Sequence, residues 1–220
     1  MPTLSKAGLD LILNFEGFDA TPSWPKASSG VTLGHGYDLG YVHIDEFASD
    51  WAQLLSAEDF DALKPCVGLT GFAARDAIPS VENIRVTRVA ARAVFLTRLM
   101  PKAEFITQRA FPRCVELCDN AYSALVSLVF NRGASMTDPG GDTMQRRREM
   151  REIRSTLESN TLTPTQKLRA IAQSLRSMKR IWKGQGVAGL IRRREDEALL
   201  VETCLMTQAA ALKTPLGQQT

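Results

Sequence analysis

Apolar residues recur at helical spacing from the start of the chain. Leu9, Ile12, Leu13 and Phe15 follow Ser5, which can cap a helix, and Gly17 stops the run, so a helix is expected from about Ser5 to Glu16. Between Phe18 and Gly40 the periodicity is lost. Pro22, Pro25, Gly30, Gly34, Gly36 and Gly40 punctuate the stretch, Ser28-Ser29-Gly30 reads as a turn, and Val31-Thr32-Leu33 reads as a short strand. After Tyr41 the pattern is helical throughout. Ser56 opens a short helix that stops before Pro65, Thr70 opens one ending near Pro79, and Thr87 opens one through Met100, where Pro101 breaks or kinks it. Ala121–Phe130 is apolar nearly all round, the mark of a central buried helix, and Asn131-Arg132-Gly133 ends it. An arginine-rich helix follows around Gln145–Glu158. Thr163-Pro164-Thr165-Gln166 joins a capping box to a first-turn proline and starts a helix that runs to about Trp182. The last helix spans Leu190–Met206.

This order of elements predicts a mainly α fold of the α+β kind: one helical domain over 1–206, with a small hairpin lobe at about 17–45 inserted after the first helix. A cleft between two unequal lobes is where a polymer substrate would lie. Residues 207–220 read as a flexible tail. With 220 residues, 44% hydrophobic and 23% charged, the composition excludes a disordered chain, a collagen and a disulfide-dense mini-protein. No apolar run reaches the roughly 18 residues of a membrane span. The first fourteen residues carry Lys6 and Asp10 among their apolar positions, which is no Sec signal, so synthesis in the cytoplasm is expected.

Charge divides the chain. Residues 1–80 hold four Lys/Arg against eleven Asp/Glu, whereas the remainder is strongly basic within a total of +3. A basic C-terminal part suits an anionic partner, nucleic acid or an acidic polymer, although arginine-rich helices commonly have merely solvated faces. Cys66, Cys114, Cys118 and Cys204 form no CxxC pair and are expected to be reduced and structural. With His35 and His43 as the only histidines, no metal and no cofactor are expected.

Two carboxylates carry the candidate chemistry. Glu16 closes an apolar run at the C-terminal end of a helix, facing the negative end of the dipole, with Phe15 and Phe18 beside it. Both influences favour a carboxyl that holds a proton to give, as a general acid must. Asp38 lies in Gly34-His35-Gly36-Tyr37-Asp38-Leu39-Gly40, and a hairpin folded back over the first helix would set it opposite Glu16 with Thr32 between them. Paired carboxylates across a cleft are the minimal machinery of glycoside hydrolysis. Asp38 could equally cap its own following backbone. Asp19 is the competing second carboxylate, three residues from Glu16 and expected to turn toward solvent.

Phe15-Glu16-Gly17 followed by Gly30-Val31-Thr32-Leu33-Gly34-His35-Gly36 resembles the catalytic opening of phage lysozymes, muramidases of the lysozyme-like superfamily. A helix-end Glu, a glycine-flanked Thr and an Asp six residues later are closer still to pesticin-like bacterial toxin domains. Trp24-Pro25 and Tyr37-Asp38-Leu39-Gly40-Tyr41 strengthen that likeness. Ala124–Gly133 resembles the central helix of the fold, and Gly189-Leu190-Ile191-Arg192-Arg193-Arg194-Glu195 the final helix motif of phage endolysins. Phage lysozymes carry their Asp between the Glu and the Thr; here no acid lies between Asp19 and Thr32.

The resemblance implies a lysozyme-like fold and cleavage of the β-1,4 bond between N-acetylmuramic acid and N-acetylglucosamine. Glu16, Asp38 and Thr32 would be catalytic, and Tyr37, His35, Asn131 and Trp24 would bind substrate. The partners implied are peptidoglycan glycan strands and an immunity protein that plugs the site of a toxin, with no nucleic acid bound and a monomeric state. The place of action would be the periplasm or wall of a target or host bacterium. Arg146–Arg148 and Arg192–Arg194 would draw the enzyme to the anionic wall, unless the second cluster pairs with Glu195, Asp196 and Glu197. The alternative is a non-catalytic basic helical protein that binds nucleic acid or cell wall.

Overall fold

The computed structural model describes the backbone of residues 1–211 and the side chains of residues 1–207. The fold is mainly α with a small antiparallel sheet, an α+β architecture. In chain order the elements are α1 (Lys6–Glu16), β1 (Asp19–Ser23), β2 (Thr32–Gly34), β3 (Tyr37–Asp38), α2 (Ile44–Trp51), α3 (Ala57–Leu63), α4 (Gly71–Val81), α5 (Arg88–Val94), α6 (Met100–Ala110), α7 (Asp119–Arg132), α8 (Arg148–Glu158), α9 (Pro164–Ser177) and α10 (Ala188–Ala211). They gather into two compact units. One is Glu16–Lys102, which holds the sheet and extends past the hairpin element expected at 17–45; the other joins Met1–Phe15 to the chain from Ala103 onward.

In the unit Glu16–Lys102 the strands run in the order β1-β2-β3. Leu33 pairs with Tyr37 and both face a core with Val31, Leu39, Phe47 and Trp51. Thr32 pairs with Asp38 on one side and with Ser23 on the other, so these three side chains form a row on the opposite face. Helix α2 lies where the pattern after Tyr41 reads helical, although no capping residue marked its start. Its entry is tied by the His43 N–H donating to Glu46 at 3.0 Å, with the acids Asp45 and Glu46 in the first turn. Of the break or kink expected at Pro101, the chain shows no break, since the helical run continues through it in α6 after a local irregularity. Residues Phe95–Leu99 form a π turn in which the Met100 N–H reaches back to Phe95. That wider turn makes room for the proline ring, which would press on the carbonyl four residues earlier in a regular α-helix.

The other unit is built around α7, in which every residue from Ala121 to Val129 is buried. Helix α1 lies against it so closely at Gly8 that a Cβ there would stand 2.1 Å from that of Ser123. The Ser123 hydroxyl oxygen accepts from the Ser5 N–H, and Ser5 in turn caps Gly8. Thr163 and Gln166 form the expected capping box, with Pro164 at the first helical position. Helix α10 runs five residues beyond the expected Met206; the rest of the expected tail, 212–220, lies outside the described residues.

Two expectations about this unit change. Cys118 and Cys204 are joined in a disulfide, because the N-cap of α7 meets α10 with the two Cα atoms 6.6 Å apart, within bridging reach. Cys66 and Cys114 are free and buried, and burial pushes the Cys114 thiol up to about 11, which makes it a poor nucleophile. The arginines of the final helix, in turn, do not all face outward. Arg193 and Arg194 are buried beside Glu197, whose Oε1 lies 2.6 Å from Arg194 and also accepts from the Ser127 hydroxyl at 2.6 Å. Burial pushes the Glu197 carboxyl up and the Arg194 guanidinium down, so these charges persist only through one another.

Removing one partner of that cluster strands the rest. Glu197→Ala is expected to destabilise the protein by about 3–5 kcal/mol in urea unfolding. By contrast Glu158→Ala, which breaks only the exposed pair with Arg154, should cost under about 1 kcal/mol. Reduction of Cys118–Cys204, or Cys118→Ser, reopens a link of 86 residues and should lower stability by about 2–5 kcal/mol in the same assay. An unchanged midpoint in reductant would show that the link does not form.

Candidate active site

Of the candidate residues, Glu16, Trp24, Thr32, His35, Tyr37 and Asp38 belong to the unit Glu16–Lys102, and Asn131 belongs to the other. Glu16 is the last residue of α1 and is half-buried. Gly17 follows with φ +71, a left-handed conformation that turns the chain out of the helix toward β1. The carbonyl of Gly17 accepts a hydrogen bond from Nδ1 of His35, so the hairpin between β2 and β3 is fastened to the residue next to Glu16. A carbonyl can only accept, so Nδ1 of His35 carries the proton of this bond. Only 5% exposed and packed between Phe18 and Phe95, His35 is a positioning group with little surface to offer a ligand.

Asp38 is held by its own surroundings. Its Oδ1 accepts from the N–H groups of Gly30 at 3.0 Å and Gly40 at 2.9 Å, and it caps the short 3₁₀ turn Leu39–Tyr41. Its Oδ2 receives only the longer approach of the Gly30 N–H at 3.2 Å. The capping role left open by the sequence is therefore real. It orients one carboxylate oxygen and leaves the other the less engaged. A Cβ on Gly30 would meet Asp38 Oδ1 and the Gly40 nitrogen at 2.3 Å each, so glycine is required by close approach. Thr32, 7% exposed, lies directly across the ladder from Asp38, its hydroxyl 3.4 Å from the Gly30 carbonyl. Asp19 stands exposed at the start of β1 and accepts from the Ser23 hydroxyl at 2.7 Å, turned to solvent as expected.

The remaining candidates have structural partners. Tyr37 points to the face opposite Asp38, is buried against Trp51 and donates to Asp50 at 2.9 Å. Burial, and then the hydrogen bond to Asp50, push its phenol far above the ordinary value. It lines a cavity of about 330 Å³ with Asp50 and Arg98. Trp24 donates its indole N–H to the Ser29 carbonyl at 3.1 Å. Asn131, near the end of α7, lies 3.4 Å from Arg194. Its neighbour Arg132 is pushed down to about 10, chiefly by burial and then by Arg147 and Arg194. The Gly17–His35 link and the double hold on Asp38 are the features that sequence reasoning missed. Both use backbone groups, which leave no mark in residue spacing.

A family model described as a domain of unknown function (DUF8812) matches residues 7–110, just under half of the chain. None of the curated proteins matches it. Among solved structures, the chain is similar to one described as the active form of P1 phage endolysin Lyz. The identity is 21%, the match covers 91% of this chain and 85% of that one, and the TM-score is 0.49.

Gly30→Ala would force the carboxylate or the Gly40 backbone aside and is expected to destabilise by about 1–3 kcal/mol. Asp38→Ala would strand two amides and should cost a similar about 1–3 kcal/mol, whereas Asp38→Asn keeps an acceptor oxygen in place and should unfold close to wild type. Thermal unfolding of the three variants checks this ordering, and equal midpoints for Asp38→Ala and wild type would contradict it.

Proposed function

We propose that the protein is a lysozyme-type glycoside hydrolase, a muramidase that cuts the β-1,4 bond between N-acetylmuramic acid and N-acetylglucosamine. What supports this reading is the link between the segments that carry the motif residues. The β2–β3 ladder sets Thr32 beside Asp38, and the same hairpin is fastened through His35 to the carbonyl next to Glu16. Three residues singled out by their resemblance to muramidase and pesticin-like motifs thus belong to one small tethered element.

Glu16 protonates the glycosidic oxygen as its bond to the anomeric carbon breaks, and positive charge builds on the ring. Asp38 stabilises that charge and takes a proton from the incoming water through Oδ2, its less engaged oxygen. Two amide donors hold its Oδ1 meanwhile. The Thr32 hydroxyl helps to place the water. The water oxygen bonds to the anomeric carbon, and the sugar beyond the cut leaves as an alcohol. A disulfide suits work outside a reducing cytosol. The biological setting is that of an interbacterial toxin with an immunity protein, or of a phage-type endolysin.

The basic half gives the nucleic-acid alternative little support. Many of its guanidinium groups face carboxylates: Arg113 with Glu116, Arg151 with Asp138, Arg176 with Glu195 and Glu202, and Arg180 with Glu149.

Glu16→Gln keeps the shape but has no proton to give. Hydrolysis of purified peptidoglycan should fall at least about 10²-fold, the lower figure for general acid–base assistance, with the thermal midpoint held or raised. Asp38→Asn should lose most activity while folded, and Asp19→Asn should stay near wild type. Wild-type clearing by Glu16→Gln would refute the mechanism, and equal loss in the two aspartate variants would reassign the second carboxylate.

A further inference from the structure

The segment that leads into Gly30 is strained. Lys26 and Ala27 both stand at positive φ, +89° and +52°, a conformation that non-glycine residues adopt only when their surroundings impose it. Three bonds impose it here. The Trp24 indole and the Gly71 N–H both donate to the Ser29 carbonyl, at 3.1 and 3.0 Å, and the Tyr41 hydroxyl donates to the Ser28 carbonyl at 2.7 Å. The result is a rigid loop with aromatic rings drawn up beside it. Tyr41 is 62% exposed and Phe72 is 69% exposed, yet neither ring is needed for the core. Phe72 stands 6.3 Å from Trp24, its ring tilted by 40°, and the Arg75 guanidinium covers it at 4.7 Å. Lys26, in the same loop, is exposed.

The geometry points to a carbohydrate-binding platform formed by Trp24, Tyr41 and Phe72, which grips the pyranose rings of an anionic glycan beyond the bond that is cut. The inference rests on the hydrolase reading for its choice of polymer. A pyranose has a face of C–H groups that stacks on an aromatic ring and an edge of hydroxyls that needs polar partners. Here the rings adjoin polar groups, the Tyr41 hydroxyl and the Ser28 and Ser29 carbonyls, as a sugar requires and a purely apolar partner does not. Lys26 adds a positive charge that suits the lactyl and peptide carboxylates of peptidoglycan, whereas Arg75 is paired with Asp76 at 2.7 Å. The platform is also continuous with the candidate active site. Ser29 precedes Gly30 and Tyr41 follows Gly40, the two residues whose amides hold Asp38. A strand lying on these rings would therefore run toward that carboxylate, and rigidity in the loop would keep the register between grip and cut.

Binding can be read separately from cutting. In a Glu16→Gln background, which suppresses turnover, the protein is titrated with purified peptidoglycan sacculi and with chitohexaose. Phe72→Ala and Tyr41→Ala are each added to that background, and far-UV spectra and thermal midpoints confirm that they are folded. Each is expected to weaken sacculus binding by about tenfold, the scale of one lost aromatic stack, and Lys26→Ala in the same background should lose less on the uncharged chitohexaose than on sacculi. Unchanged affinity of the folded Phe72→Ala and Tyr41→Ala proteins would overturn the platform, even if wild type hydrolyses the wall and Glu16→Gln does not. Loss of binding in both would support it even if wild type released no reducing sugar from the wall, a result that would refute the hydrolase alone. Self-association of the free protein that Phe72→Ala abolishes would overturn it in favour of a protein interface.

Discussion

The carboxylate of Asp38 accepts the backbone amides of Gly30 and Gly40, and much of the unit Glu16–Lys102 is arranged to let it do so. Buried amides need partners, and a loop as bent as Trp24–Gly30 cannot find them in a sheet. Asp38 supplies one acceptor to both ends of the turn system, so the loop before β2 and the 3₁₀ turn after β3 are closed by the same side chain. Glycine at 30 and 40 follows from that closeness. So does the position of Thr32, because the register that pairs it with Asp38 is the register that sends Leu33 and Tyr37 into the core. A slip of one residue would bury the carboxylate and expose the leucine.

The other unit solves a different problem, that of a basic sequence which must still build a dry interior. Arg193, Arg194, Glu197 and Ser127 form a charged knot between α7 and α10, and Glu149 on α8 takes Arg180 from the turn after α9. Each charge was expensive to desolvate and is tolerable only with its partner present, so the knots define which helix faces may meet more sharply than apolar contact would. Net charge counted along the chain therefore overstates the charge available to a partner.

Local rules made most of the helices legible. Ser5 and Gly17 bracket α1, the capping box at Thr163 begins α9, and the unbroken apolar run identifies α7 as the core helix. What was not legible depended on residues far apart or on the main chain. Helix α2 begins at His43, an uncommon cap whose entry is secured by Glu46 reaching back to its N–H. Pro101 marked a break or a kink, but not the π turn that accommodates it, which has no residue signature. The four cysteines read as reduced, yet Cys118 bonds to Cys204 on a helix that only the tertiary packing brings near. In the candidate site, the types and order of Glu16, Thr32 and Asp38 were readable. The tether through His35 and the double amide hold were not, since both use carbonyl or N–H groups that every residue possesses.

The disulfide has a topological consequence. It closes a covalent ring from Cys118 to Cys204 that contains all of α7, α8 and α9, and most of α10. The stretch Gly133–Arg147, between α7 and α8, carries the ring's most irregular backbone, with turns at Asp138–Gly141 and a left-handed Gln145. A protease that cuts there opens the ring without dividing the molecule. The two pieces stay joined through sulfur, with α7 still lying against α10, and part only when a reductant reaches the bond.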